Sequence, residues 1–281
     1  METRFLQCGQ KLISLERPIV MGIVNTSPDS FYNKSVSHSE NDFLTKVEEM
    51  MQDGATIIDL GGSSSRPKAH ILSEEEEWNN VEKYIKVFVK QFPDKILSLD
   101  TYRSSIARKG LDLGVKMIND IHAGTYDLKM LELLEEYQVA YCMMHMRGEI
   151  GSMMKAEFLQ YDDVVSDVIK YFVLRLQELQ KSIKLNIVID PGFGFSKTMT
   201  QNYDLLRHLS SFQILDKPIL VGLSRKSMIY RLLDSDPEHA LHGSIAATTV
   251  ALIGGANIIR THDVKATSDV IKIFEMWKSR N

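Results

Sequence analysis

Short apolar runs recur along the chain, at residues 19–24, 56–60, 96–99, 115–118, 139–144, 187–189, 219–223 and 257–259. Most are near-continuous rather than alternating, and each is closed by polar residues or turn formers, the pattern of strands covered on both faces. Between them apolar positions return at helical spacing: Phe43, Val47, Met50 and Met51 make one such face over 43–52. Further helices are expected over 73–91, up to 113, over 128–136, 161–180, 225–233 and 242–253, and up to 277. Ser73 followed by Glu76 forms a capping box, and the glutamates 74–77 suit the positive end of a helix as a solvated first turn. Residues 4–16 read as a hairpin turning at Gly9-Gln10, a cap on the bottom of a larger fold.

Eight strands alternating with helices predict an α/β fold, a single (β/α)8 TIM barrel with a short N-terminal hairpin. With no break in composition, residues 1–281 read as one domain, its barrel core at about 18–278. A doubly wound sheet is the alternative, but the chain carries no nucleotide fingerprint of the kind that fold uses. Gly194-Phe-Ser-Lys-Thr198 resembles a phosphate-binding loop only superficially, because Ser196 stands where a glycine is needed before Lys197.

Composition narrows the partners. The net charge of −4 gives no footprint for nucleic acid or an anionic membrane. Cys8 and Cys142 have no metal-ligand spacing and read as reduced thiols. The first residues lack the apolar core of a signal peptide and no apolar run is long enough to span a membrane, so a cytoplasmic protein is expected.

The chemistry gathers where the strands stop. Asn25, Asp100, Asn119, His145, Asp190, Lys226, Arg260 and His262 all fall at or just past a strand's C-terminal end, and in a barrel those ends converge on one mouth. Asp100, Asn119, Asp190 and Lys226 provide carboxylate, amide and ammonium groups without a nucleophile–base pair. Such a set suits a flat heterocycle with adjacent N–H donors and a carbonyl. Arg260 and His262 read as an anion site, near which the amide of Asn25 could hold a Mg2+-bound diphosphate. His145 is open to two readings, a ligand-site residue or a satisfied buried histidine.

Eight segments, in order, carry a family resemblance. They are Met21-Gly-Ile-Val-Asn-Thr-Ser-Pro-Asp-Ser-Phe31, Gly61-Gly-Ser-Ser-Ser-Arg-Pro67, Ser98-Leu-Asp-Thr101, Ile118-Asn-Asp-Ile121, Met144-His-Met146, Asp190-Pro-Gly-Phe-Gly-Phe195, Ser224-Arg-Lys-Ser227 and Arg260-Thr-His-Asp263. With them the chain resembles dihydropteroate synthase from about residue 18 to 265. The resemblance implies a transferase of folate synthesis and a sulfonamide target. It would condense 6-hydroxymethyl-7,8-dihydropterin diphosphate with 4-aminobenzoate, giving 7,8-dihydropteroate and diphosphate.

The resemblance also implies roles. Asp100, Asn119, Asp190 and Lys226 would hold the pterin, Asn25 would bind Mg2+, and Arg260 and His262 would clamp the leaving diphosphate. Ser65 and Arg66 would reach substrate from a second loop. Phe31, Pro67, Phe195 and Ser224 would line the aminobenzoate side, and a homodimer would form through the last helices. The sequence departs from the usual family pattern at Thr26-Ser27, Lys34-Ser35, Ser65 and Lys68. Two other functions fit parts of the pattern: a pterin-dependent methyltransferase, which would share the strand-end acids and amide, and a non-catalytic pterin-binding barrel.

Overall fold

An antiparallel hairpin, β1 (Phe5–Cys8) and β2 (Lys11–Ser14), turns through Gly9 as expected. The barrel strands follow as β3 (Ile19–Asn25), β4 (Ala55–Gly61), β5 (Ile96–Asp100), β6 (Met117–Asp120), β7 (Ala140–Met144), β8 (Asn186–Asp190), β9 (Leu220–Val221) and β10 (Ile258–Thr261). They pair in parallel from β3 to β8. β10 joins β9 to β3, and a bridge from Ile189 to Ile219 closes the ring beside β9. The computed structural model describes residues 5–26, 39–63, 71–180 and 186–279. The expectations for Ser27, Phe31, Lys34, Ser35, Ser65, Arg66, Pro67 and Lys68 lie outside the described residues.

Alternation along the strands builds the interior in layers. Met21, Ile57, Ile96, Met117, Ala140, Val188, Leu220 and Ile258 form an apolar floor, sealed from below by Leu6, Cys8 and Leu15. Each fully buried aliphatic side chain there contributes about 1.5–3 kcal/mol. One inward position further on stand Asp59, Asn119, Asp190 and Arg260, so polar chemistry rests on a greasy plug and faces the C-terminal mouth. Outward positions, among them Ile58, Leu97, Ile118, Tyr141 and Ile187, pack against the helices.

Those helices are α1 (Glu40–Gln52), α2 (Glu74–Gln91), α3 (Ser104–Asp112), α4 (Lys129–Tyr137), α5 (Val164–Gln180), α6 (Met199–Arg207), α7 (Ser227–Tyr230), α8 (Leu241–Ile253) and α9 (Val264–Lys278). The capping box of Ser73 and Glu76 is formed. Glu74, Glu75 and Glu76 are exposed as expected, but Glu77 is not. It is 1% exposed, where it accepts from Thr101 Oγ1 at 2.7 Å and pairs with Arg103. The fourth glutamate turns inward under the exit of β5, and a partner distant in sequence makes its burial tolerable.

Two helical expectations need correcting. The helix expected over 225–233 is only the single turn α7, because the chain turns at Asp234 (φ 48°) and reaches Pro237. Helix α6 was not anticipated, although Thr198 and Gln201 form a second capping box at its start. Its apolar face is only a few residues long. Among the described residues no helix is long and apolar enough to cross a membrane.

Candidate active site

Asn25, Gly61, Asp100 and Asn119 are consecutive cross-strand partners from β3 to β6, so one row of the sheet carries four residues to the mouth. Gly61 keeps that row open. A Cβ there would lie 3.2 Å from Asn25 Oδ1 and 3.7 Å from Asp100 Cβ. The Asn25 amide makes no hydrogen bond among the described residues, and it borders this cradle.

Arg260 is the electrostatic centre. Its Nε donates to Asp59 Oδ2 at 2.6 Å and its Nη2 to Asp100 Oδ2 at 2.7 Å. Asn119 Nδ2 donates to the same Asp59 oxygen at 3.0 Å. Asp59 is wholly buried, and its other oxygen has no hydrogen-bond partner among the described residues. Sequence reasoning passed over Asp59 because it stands inside an apolar run. The signal was its parity: it shares the inward face with Ile57 and Gly61. Arg260, expected from the sequence to be an anion site, is therefore held by two carboxylates through Nε and Nη2.

Burial, reinforced by Asp59 and opposed by Arg260, pushes the Asp100 carboxyl up to about 7. Burial also raises Asp190, against the attraction of Lys226. Asp190 accepts the Gly192 amide at 2.8 Å. Lys226 Nζ donates to the Phe193 carbonyl and lies 4.8 Å from the centre of the Phe195 ring. Burial brings that lysine down to about 8. Phe195 packs in turn with Tyr102, Ile121, Met144, Ile150 and Met153, an apolar wall beside the carboxylates.

Ser224 and His262 meet across the loops after β9 and β10. Ser224 Oγ accepts the His262 amide at 3.2 Å and lies 3.1 Å from its Nδ1. When Oγ donates to Nδ1 the ring proton lies on Nε2, and the ring tautomer sets that direction. Burial and Arg260 hold this imidazole down to about 3, so at neutral pH it is an uncharged donor. Arg225 sits between Ser224 and Lys226 at φ 56° and forms a two-point ion pair with Asp263 at 2.8 and 2.9 Å. That clasp ties the two loops together.

His145 is not part of the group. Ala140, Cys142 and Met144 face inward, so His145 points the other way, onto Tyr171 and the buried Lys197. Asp120 is likewise outward, accepting from Tyr141 at 2.7 Å and from the amides of His122 and Gly124. Among the described residues no His, Cys, Asp and Glu group could hold a metal by itself. The site's open feature is the Asn25–Gly61–Asp100 cradle.

Comparison with known proteins agrees with this geometry. The "pterin binding enzyme" family matches residues 21–262. The dihydropteroate synthase of Haemophilus influenzae is 38% identical over 272 residues, covering 96% of this chain and 98% of that protein. The Yersinia pestis dihydropteroate synthase in complex with a sulfonamide drug superimposes with a TM-score of 0.93 at 36% identity, over 99% of this chain and 100% of that one. The Xanthomonas albilineans enzyme with 4-aminobenzoic acid gives 0.90 at 34% identity, again over 99% and 100%.

Proposed function

Because the chain belongs to the pterin-binding enzyme family, as a dihydropteroate synthase, we propose that its mouth joins a dihydropterin diphosphate to 4-aminobenzoate without a catalytic base. The observation that carries this reading is the cluster itself: Arg260 bridging Asp59 and Asp100, Asn119 beside them, and Lys226 within electrostatic reach of Asp190 and Asp100.

The pterin's N–H edge lies against the carboxylates and amide of Asp100, Asn119 and Asp190, and Lys226 meets a ring acceptor. Its diphosphate points to Arg260 Nη1 and His262 Nε2–H. The C–O bond at the methylene breaks, and its electron pair leaves with the diphosphate. Positive charge spreads into the ring, where the Asp100 carboxylate opposes it. The uncharged aromatic amine then forms the C–N bond and loses a proton. The cradle beside Asn25 fits Mg2+, which takes few protein ligands and keeps phosphate oxygens and waters, and it would neutralise charge on the departing group.

Ser224 and Phe195 are the described residues assigned to the aminobenzoate side. Sulfonamides, which the Yersinia pestis protein binds, are expected ligands here. For the homodimer, the exposed Val250 and Ile253 of α8 and Ile273, Met276 and Trp277 of α9 form a fitting apolar face. A cytoplasmic location accords with buried, reduced Cys8 and Cys142.

The pH profile tests these roles. Pterin N–H donors bind the ionised Asp100, and ring binding needs a charged Lys226. Hence kcat/KM for the dihydropterin diphosphate should rise through the Asp100 transition at about 7 and fall through the Lys226 transition at about 8. Asp100→Asn should remove the acid limb and slow diphosphate release. An unchanged limb, or unchanged release, would show that Asp100 does not hold and stabilise the ring.

A further inference from the structure

The loop after β8 is wrapped around a lysine that the reaction does not use. Lys197 is 2% exposed, and its Nζ lies 3.0 Å from the Gly192 carbonyl, 3.0 Å from the Phe195 carbonyl and 3.3 Å from the His145 carbonyl. His145 Nδ1 is a fourth neighbour at 3.0 Å. An ammonium has three N–H donors, so three buried carbonyls and an imidazole nitrogen more than occupy it. The likeness of residues 194–198 to a phosphate-binding loop is superficial in structure as in sequence, since the Lys197 side chain points into the protein.

The carbonyl directions give this cage a consequence. Those of Gly192 and Phe195 point in to Lys197, whereas that of Phe193, between them, points out to Lys226 Nζ. Gly194 N–H is held at 2.6 Å by Asn202, so the peptide that carries the Phe193 carbonyl is fixed at its nitrogen as well. The same loop begins at Asp190 and ends with the Phe195 ring beneath the Lys226 ammonium.

We propose that Lys197 is a positioning residue for the pterin half of the site, turning the Phe193 carbonyl so that Lys226 is aimed at the bound ring beside Asp190. The inference rests on the assignment of Lys226 to the pterin. Lys197 never touches substrate; it acts through the loop on Lys226. Removing it takes this donor from the Phe195 and His145 carbonyls, while the Gly192 carbonyl keeps the Phe195 amide at 3.1 Å, and the Phe195 end of the loop is expected to swing and release the Lys226 side chain.

A double-mutant cycle tests this directly, with Lys197→Met, Lys226→Met and the pair, reading the dissociation constant of the dihydropterin diphosphate and its KM. Lys197→Met is expected to weaken pterin binding about ten- to hundredfold, while the KM for the aminobenzoate changes much less. In the Lys226→Met background most of that effect should vanish, because the group it positions is gone. A merely structural role would give the same loss in both backgrounds and would overturn the proposal. If Lys197→Met does not fold, Lys197→Gln serves. It keeps two donors with shorter reach and should give a smaller loss in the same constant, and unchanged pterin binding in soluble Lys197→Gln would also overturn it. If Lys226→Met alone leaves pterin binding intact, the assignment of Lys226 is what fails.

Discussion

Arg260→Met should lower stability by about 3–5 kcal/mol and reduce turnover at least about a thousandfold. Arg260 is what allows Asp59 and Asp100 to share the barrel interior, at 2.6 and 2.7 Å from its guanidinium. Methionine fills much of the volume but leaves a wholly buried Asp59 beside a nearly buried Asp100 with no cation between them. Without the guanidinium that opposes its burial, Asp100 is expected to keep its proton at neutral pH, removing a carboxylate that the pterin needs. Diphosphate also loses its strongest donor. Urea unfolding and steady-state turnover measure the two effects. Stability within about 1 kcal/mol of the parent would mean that the carboxylates do not depend on Arg260.

Gly192→Ala is the second large effect, and it comes from the backbone. Gly192 has φ 73°, and a Cβ would lie 2.0 Å from the His145 carbonyl oxygen. The left-handed conformation costs alanine about 1–2 kcal/mol, and the overlap cannot be relieved without moving the loop off the end of β7. A total of about 3 kcal/mol or more is expected, together with at least a tenfold rise in the KM for the dihydropterin diphosphate. Gly151→Ala provides the control, since no atom of the described residues lies within 4 Å of a Cβ there. Its stability should stay within about 0.5 kcal/mol of the parent. Equal melting curves for the two variants would contradict the argument from loop geometry.

The strand ends were legible because the barrel writes them in a local code. An apolar run, a polar residue and a turn at once place Asp100, Asn119 and Asp190 on the rim. Position along the strand does not by itself say which face a side chain takes, however. His145 looks like its neighbours by position, yet the parity of Ala140, Cys142 and Met144 sends it outward. Parity also finds Asp59, which no turn signal marks.

What stayed hidden in the sequence depends on partners far along the chain. The burial of Glu77 follows from Arg103 and Thr101, and that of Lys197 draws on His145, 52 residues before it. Neither pairing has a local signature. Helix α6 escaped for a different reason. Its capping box is clear, but nine residues show too little of a helical face to stand out from a loop.

The central claim is that the diphosphate departs before the amine attacks. It is tested most directly with dihydropterin diphosphate carrying heavy oxygen in the bridge between the methylene and the phosphorus. The protein, Mg2+ and an unreactive benzoate in place of 4-aminobenzoate are mixed, and the recovered substrate is analysed. Reversible departure predicts that the label moves into the non-bridging positions of the phosphate. A label that stays in the bridge, in protein that forms dihydropteroate readily once 4-aminobenzoate is added, would contradict it and indicate direct displacement by the amine.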